Sequence, residues 1–214
     1  MSGFYTRQYV LLEFFKTVDR PGRLIISDDP MRVKMLAAHH LEYAALMFED
    51  SDELLYFGSY NGIDIALAAA GFGSGAVPEF ARRVSESGVE EIIYIGGCAA
   101  ITDRYALRTV VLADGGSRSL LNRALTTAAR YGIPVVTRTV LPPGGVTGEC
   151  VDITESITGS LYKQAQDDGV KALSVLTVSE NTKSGEIMEE HERRSRLYAA
   201  ARLVFETMAP VPDG

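Results

Sequence analysis

The sequence predicts an α/β fold in which helices cover both faces of a central, twisted, mixed β-sheet. Several strand-like runs, such as Glu91–Gly96 and Ala172–Ser179, are apolar almost throughout. Runs of this kind are typical of strands that are buried on both faces of a largely parallel sheet. Segments with helical periodicity lie between them, and this alternation is typical of α/β domains. The 214 residues suffice for one large domain, which we place at residues 1–209, followed by a flexible tail at residues 210–214.

The individual elements follow from local patterns, and their ends follow from turn-forming residues. Apolar, β-rich runs predict strands at Arg23–Ser27, Leu54–Tyr60, Ile63–Ala70, Glu91–Gly96, Thr109–Ala113, Val135–Leu141 and Ala172–Ser179. Helical periodicity predicts helices at Pro30–Leu46, Val77–Ser87, Ser119–Tyr131, Ser156–Asp168 and Glu186–Met208. The pair Asn61-Gly62 predicts a tight hairpin turn between two of the strands. Gly132 and Gly169 are typical helix-ending residues.

The overall composition argues against several classes of function. Hydrophobic residues make up 46% of the chain and charged residues 23%, which are ordinary values for a folded globular protein. The formal net charge of -7 disfavours broad binding to nucleic acid or to membrane surfaces. No apolar run approaches the roughly 20 residues of a membrane span. Cys98 and Cys150 lack metal-type spacing, and no dinucleotide or phosphate-loop fingerprint is present, so we expect neither a metal nor a cofactor. We expect the protein to be cytoplasmic.

A series of short motifs in a fixed order indicates a family. Along the chain they are ISDDPMRVK, FGSYNGIDIALAAAGFGS, EIIYIGGCAAI, ESITGSLYKQA and VLTVSENTKSGE. Together they resemble the purine nucleoside phosphorylase / uridine phosphorylase superfamily, over roughly Arg23 to Met208. That superfamily also includes nucleosidases, which hydrolyse the glycosidic bond. The resemblance implies a single-domain nucleoside-phosphorylase-like fold, a small-molecule ligand and a homo-oligomer, either a dimer or a hexamer.

The phosphate site implied by this resemblance is altered in the sequence. Asp28 stands where the family has the glycine of its Gly-Asp-Pro loop, and a carboxylate there would repel phosphate. Tyr94 replaces an arginine, Gly97 replaces a serine or threonine, and Ser51 aligns with an arginine that a neighbouring subunit lends in hexameric members. The loop arginine is kept as Arg32, which either still binds an anion, pairs with Asp28 or lies on the surface at a helix start. Because phosphate recognition depends on fixed cations and donors, we expect that phosphorolysis is lost.

The sugar site implied by the resemblance is altered as well. Glu155 and Ser156 match the first two residues of the family motif Glu-Met-Glu, and Ile157 replaces the second glutamate, which binds the sugar hydroxyls. Isoleucine accepts no hydrogen bond, so Ser156 or Glu155 would have to take over that contact. Glu155 is alternatively an ordinary acid of the first helical turn. Phe72 forms either an apolar wall for a flat ligand or part of the core.

The resemblance also implies the residues of the reaction itself. Glu180 stands where the family has an aspartate that protonates the purine leaving group, and Arg193 where purine phosphorylases keep an arginine that approaches this acid. Glu180 is alternatively a loop or helix-cap acid, and Arg193 a solvated side chain. The loops at Asp114–Arg118 and Pro142–Thr154 are shorter than the family's usual segments, which implies a more open pocket.

Two functional hypotheses follow from these residues. The first is a divergent enzyme that acts without phosphate on a nucleoside-like or other small polar or cyclic substrate, with Glu180 as acid or base. Its reaction would be glycosidic hydrolysis or a repurposed cyclisation or elimination in specialised metabolism. The second is a non-catalytic ligand-binding or structural subunit that partners an active homologue.

Overall fold

The computed structural model describes residues 22–71, 73–144, 152–195 and 197–209. Its strands are β1 (Arg23–Ser27), β2 (Glu42–Asp50), β3 (Glu53–Tyr60), β4 (Ile63–Ala70), β5 (Glu91–Ala100), β6 (Val110–Ala113), β7 (Val135–Arg138), β8 (Val140–Leu141), β9 (Ile153–Thr154), β10 (Lys171–Asn181) and β11 (Glu186–Ile187). Its helices are α1 (Pro30–His40), α2 (Ala76–Ser85), α3 (Arg118–Tyr131), α4 (Thr158–Asp167), α5 (Glu190–Ser195) and α6 (Tyr198–Met208). The α/β class and the mixed central sheet are therefore confirmed.

The sheet runs in the order β2-β3-β4-β1-β5-β10-β6-β7 among the described strands. Its centre is parallel, since β5 pairs in parallel with both β1 and β10, and β1 pairs in parallel with β4. The pairs β2–β3, β3–β4 and β10–β6 are antiparallel. The carboxyl ends of β1, β5 and β10 consequently meet at one edge, where ligands bind in open α/β sheets.

Both faces of the central strands are buried, as the continuous apolar runs predict. On one face Ile25 and Ile93 pack with residues of α1, α3 and α6. On the other face Ile26 and Tyr94 pack with residues of α2 and α4. The two layers of helices hold the central strands from both sides and so fix the positions of their carboxyl ends.

The turn predictions are confirmed by the backbone. Asn61 and Gly62 have φ angles of 50° and 72°, and they join β3 and β4 in an antiparallel hairpin. Two positive φ angles are required by the tight hairpin turn that Asn-Gly favours. Gly132 ends α3 in the left-handed conformation with a φ of 64°, and Gly169 follows α4 with a φ of 70°.

Three element predictions are wrong in their extent. The helix predicted at Pro30–Leu46 ends at His40, and Glu42–Asp50 is instead strand β2, which pairs with β3. The strand predicted at Val135–Leu141 is split between β7, which pairs with β6, and β8, which pairs with β9. The helix predicted at Glu186–Met208 is divided into β11, α5 and α6. In the first two cases strand pairing overrides the local preference, and in the third case both the pairing of β11 with β10 and the packing of α6 on the core do so.

Two remaining predictions concern membrane spans and the extent of the domain. No helix within the described residues has the length and apolar character needed to cross a membrane. The tail predicted at residues 210–214 lies outside the described residues, as do residues 1–21 of the predicted domain.

Candidate active site

A pocket of about 410 Å³ lies at the carboxyl ends of β1, β5 and β10. Its lining includes Asp28, Arg32, Tyr94, Gly97, Cys98, Pro143, Glu155, Ser156, Ile157, Ser179, Glu180, Glu190, Arg193, Arg194 and Leu197. Every site residue proposed from the sequence is in this set except Phe72, which lies outside the described residues. Residues that are far apart in the sequence therefore meet in one cavity.

Arg32 is the most heavily bonded side chain of the pocket. It projects from the first turn of α1, and its side chain is only 8% exposed. Its Nη1 donates to the Asp28 carboxylate at 3.0 Å and to the Ser27 hydroxyl at 2.9 Å, and its Nη2 donates to the backbone carbonyl of Arg193 at 3.1 Å. Arg32 is thus neither a surface arginine nor an open cation, because an internal carboxylate is its counter-ion.

Tyr94 lines the pocket from β5, and its hydroxyl lies close enough to Asp28 to interact with the carboxylate. Its side chain is fully buried, and its hydroxyl end lies so close to Gly96 that a Cβ there would come within 2.3 Å of it. Burial first, and then the charges of Asp28 and Glu155, raise the pKa of Tyr94 well above its usual range. The hydroxyl therefore stays protonated, while the Asp28 carboxylate accepts from Arg32.

Ser179 lies directly beside Gly97, at the strand end that follows Tyr94. A Cβ added to Gly97 would lie 2.9 Å from the Ser179 hydroxyl oxygen. The Ser179 hydroxyl in turn donates to the carbonyl of Cys98 at 3.3 Å. Ser179 thus fills the space beside Gly97, and the sequence reasoning had not assigned it to the site.

Glu155 is buried at the start of α4, where it binds the helix backbone. Its two carboxylate oxygens accept from the backbone N–H groups of Ile157 and Thr158, each at 2.7 Å. These bonds satisfy donors that the first helical turn leaves free, and the negative charge suits the helix dipole. Ser156 is exposed beside Glu155, whereas Ile157 is buried in the core. Of the side chains in the motif, the Ser156 hydroxyl is the one open to a ligand.

Glu180 is the acid of the pocket whose carboxylate has the fewest bonds to other described side chains. It lies next to the end of β10, directly after a break in the strand register between Val178 and Glu180, and such irregularities re-aim side chains. It belongs to a strand, so it is neither a loop acid nor a helix-cap acid. Within the described part of the chain, no hydrogen bond or ion pair engages its carboxylate. Arg193, an exposed residue on α5, lines the same pocket.

Further polar residues of the pocket were missed by the sequence reasoning. Asp29 caps α1 by accepting from the N–H groups of Met31 and Arg32, and Arg194 lies 3.7 Å from its second carboxylate oxygen. Arg194 also pairs with Glu190 at 2.8 Å. The sequence Asp29-Pro30 carried the signal for this cap, since aspartate followed by proline is typical of a helix start.

The remaining chemistry of the pocket is limited by burial. Burial, followed by the charge of Glu155, raises the pKa of the Cys98 thiol, so Cys98 is a poor thiolate nucleophile. Among the described residues, no group of histidine, cysteine and acidic side chains is arranged to hold a metal ion.

Comparison with known proteins agrees with the motifs and the fold. The family model described as the phosphorylase superfamily matches residues 23–201. The chain is 29% identical to a DeoD-type purine nucleoside phosphorylase of Colwellia psychrerythraea, over 92% of this chain and 95% of that protein. It is 26% identical to the DeoD-type purine nucleoside phosphorylase of Bacillus velezensis, over 87% and 94% of the two chains. Since the family model covers most of the chain, the protein belongs to the phosphorylase superfamily, that of the purine nucleoside and uridine phosphorylases.

Proposed function

We propose that the protein is an enzyme of this superfamily that cleaves the glycosidic bond of a nucleoside-like substrate without phosphate. The observation that carries the proposal is the Asp28 carboxylate, which is bonded to Arg32 at 3.0 Å where the family motif places a glycine. Asp28 thereby uses the cation that a bound phosphate would need. Water is then the nucleophile that remains for a cleavage reaction in this pocket.

The pairing of Asp28 with Arg32 removes the attraction that phosphate would find at this position. Two unit charges about 4 Å apart interact by about 4 kcal/mol at an effective dielectric constant of roughly 20. The Asp28 carboxylate, 3.0 Å from Arg32, cancels most of the attraction of that arginine for a second anion. Tyr94 and Gly97 add no cation that would offset this loss. Phosphate binding is therefore disfavoured by both the added acid and the lost donors.

Glu180 is the residue that we propose for proton transfer. In the hydrolytic reaction, the bond between the anomeric carbon and the leaving nitrogen breaks, and the nitrogen takes the proton of Glu180. The oxygen of water bonds to the anomeric carbon, and the proton it releases restores the carboxyl group. Arg193 supplies a positive charge on the helix that lines the same pocket. A cyclisation or elimination would use the same acid, so the reaction class depends on the substrate.

The charges of the pocket favour a neutral or cationic substrate over an anionic one. The acids that line it are Asp28, Asp29, Glu155, Glu180 and Glu190, and the arginines are Arg32, Arg193 and Arg194. The acids outnumber the arginines, and Arg32 and Arg194 are already paired with them. A ligand that carries a phosphate or carboxylate would meet few free cations, whereas an uncharged nucleoside would meet none of this repulsion.

The test is the release of free base from adenosine, inosine and uridine in the presence and in the absence of inorganic phosphate. The products are measured by chromatography. We expect release at the same rate in both conditions, with free sugar as the second product. Glu180→Gln should abolish it, because a carboxamide can neither transfer a proton to the leaving nitrogen nor take one from water. Glu186→Gln, an exposed change on β11, is the matched control and should keep the activity. Phosphate-dependent formation of sugar 1-phosphate would refute the proposal.

The second candidate is a ligand-binding or structural subunit without catalysis. The change to Ile157 and the capping bonds of Glu155 favour it, since they remove the acceptor that the family motif offers to the sugar. A subunit of this kind would release no base, yet nucleosides would still raise its thermal stability, and Glu180→Gln would leave that shift unchanged. In both cases we propose a small-molecule ligand, a cytoplasmic setting and self-association as a dimer or a hexamer.

A further inference from the structure

Helix α5 lies over the pocket as a short segment between two anchors. Before it, Met188 is buried and its backbone N–H donates to the carbonyl of Ser179 at 2.8 Å. After it, Leu197 is buried against the core. The helix itself has only 6 residues. Helices of this length are not stable on their own in water, so contacts with the rest of the fold decide whether α5 forms and where it lies.

An ion pair at 2.7 Å joins Glu192 of α5 to Arg108, and two further contacts tie α5 to residues at the start of α1. Arg32 donates through Nη2 to the backbone carbonyl of Arg193 at 3.1 Å. Arg194 lies 3.7 Å from a carboxylate oxygen of Asp29, a longer and more exposed ion pair. The contact through Arg32 is the better placed of these two, because the Arg32 side chain is almost fully buried. A hydrogen bond from a buried guanidinium to a helix carbonyl is a fixed link between α1 and α5.

The orientation of Arg32 depends in turn on Asp28. Nη1 is held by the Asp28 carboxylate and the Ser27 hydroxyl, and this leaves Nη2 directed at α5. The Asp28 side chain is 33% exposed, so it lies between the buried guanidinium and the open pocket. A buried cation requires a counter-ion, and Asp28 is the acid that meets this requirement for Arg32.

We propose that Asp28 is a resident anion that orients Arg32 and thereby holds α5 over the pocket, so that the site is closed without any bound phosphate. Asp28 is in this sense a positioning residue, which acts on Arg193 and the rest of α5 through Arg32. This role of Asp28 concerns the same residue on which the proposed function rests. The experiment that tests it measures no turnover, so the role of Asp28 and the proposed function can fail separately.

The test is hydrogen exchange of the backbone amides in residues 189–195, with inorganic phosphate as the added anion. In the unmodified protein we expect slow exchange that phosphate does not change. Asp28→Gly removes the counter-ion and leaves space beside Arg32, so exchange should become several-fold faster in this segment. Inorganic phosphate should then slow it again, because the added anion takes the place of the carboxylate. Exchange within α3 serves as the internal reference and should not change.

Two further variants separate an anion effect from general loosening. Asp28→Asn keeps the size of the side chain without its charge, so exchange in residues 189–195 should rise and phosphate should not restore it. Arg32→Ala removes the cation itself, so α5 should open and remain open with phosphate. The proposal is overturned if α5 stays protected in Asp28→Gly or Asp28→Asn. It is equally overturned if phosphate fails to restore Asp28→Gly or restores Arg32→Ala to the same degree.

Discussion

Replacement of Glu155 by alanine tests how much the start of α4 depends on one buried carboxylate. Both oxygens of Glu155 accept short bonds from backbone N–H groups, at 2.7 Å to Ile157 and 2.7 Å to Thr158. Loss of one helix-capping bond costs about 1 kcal/mol. A hydrogen bond to a charged group contributes about 1.5–3 kcal/mol, and here two buried donors lose their partner together. We expect the free energy of unfolding of Glu155→Ala to be lower by about 3 kcal/mol.

The assay is equilibrium unfolding in urea, monitored by circular dichroism. Glu155→Gln keeps one carbonyl oxygen but turns an NH₂ group towards the second backbone donor, so its loss should be smaller, roughly 1–2 kcal/mol. Glu42→Gln, an exposed acid on the edge strand β2, is the control and should change stability by less than about 0.5 kcal/mol. A loss below about 0.5 kcal/mol for Glu155→Ala would refute the capping argument and return Glu155 to a purely ligand-binding role.

Two further predictions concern stability away from the pocket. Burial, followed by the hydrogen bond to Glu206, raises the pKa of Tyr60 from 10 to about 12. The protonated hydroxyl is therefore favoured in the fold, and its contribution is complete below about pH 10 and is lost as the pH rises towards about 12. Urea unfolding at about pH 9 and about pH 11 should show this loss, and Tyr60→Phe should reduce the difference. At the β3–β4 turn, Gly62→Ala should lower the free energy of unfolding by about 1 kcal/mol because of the φ of 72°, whereas unchanged stability would contradict that strain.

The parts of the fold that the sequence predicts well are those fixed by nearby residues. Asn61-Gly62 determines its turn through its own backbone preferences, and Gly132 does the same at the end of α3. The buried central strands are recognisable because each is apolar along its whole length. Strand β2 is different, since Glu42–Asp50 has a pattern that also suits a helix and becomes a strand through pairing with β3. β3 follows at once in the chain, at Glu53–Tyr60, but the pairing depends on both segments together and the pattern of Glu42–Asp50 alone does not indicate it.

In the candidate site, too, the sequence predicts the residues that belong to local motifs and misses the contacts between distant segments. The motifs single out Asp28, Tyr94 and Gly97 as site residues, and the pocket contains all three. The bond from Arg32 to the carbonyl of Arg193 joins residues 161 positions apart, and no local pattern indicates it. Ser179 was missed for a similar reason, because its effect arises from its distance to Gly97 across two strands.

The residues around Arg32 form one interdependent set. Tyr94 can fold back along β5 because Gly96 has no side chain, and this places its buried hydroxyl near the Asp28 carboxylate. Asp28 in turn is the counter-ion of the buried Arg32 guanidinium. A single substitution in this set therefore changes the surroundings of the other members. Tyr94→Arg would bury a second guanidinium beside Gly96, and Gly97→Ser would require the Ser179 hydroxyl to move away from the new Cβ. We therefore expect the effects of such substitutions on stability to be non-additive, because the side chains touch one another.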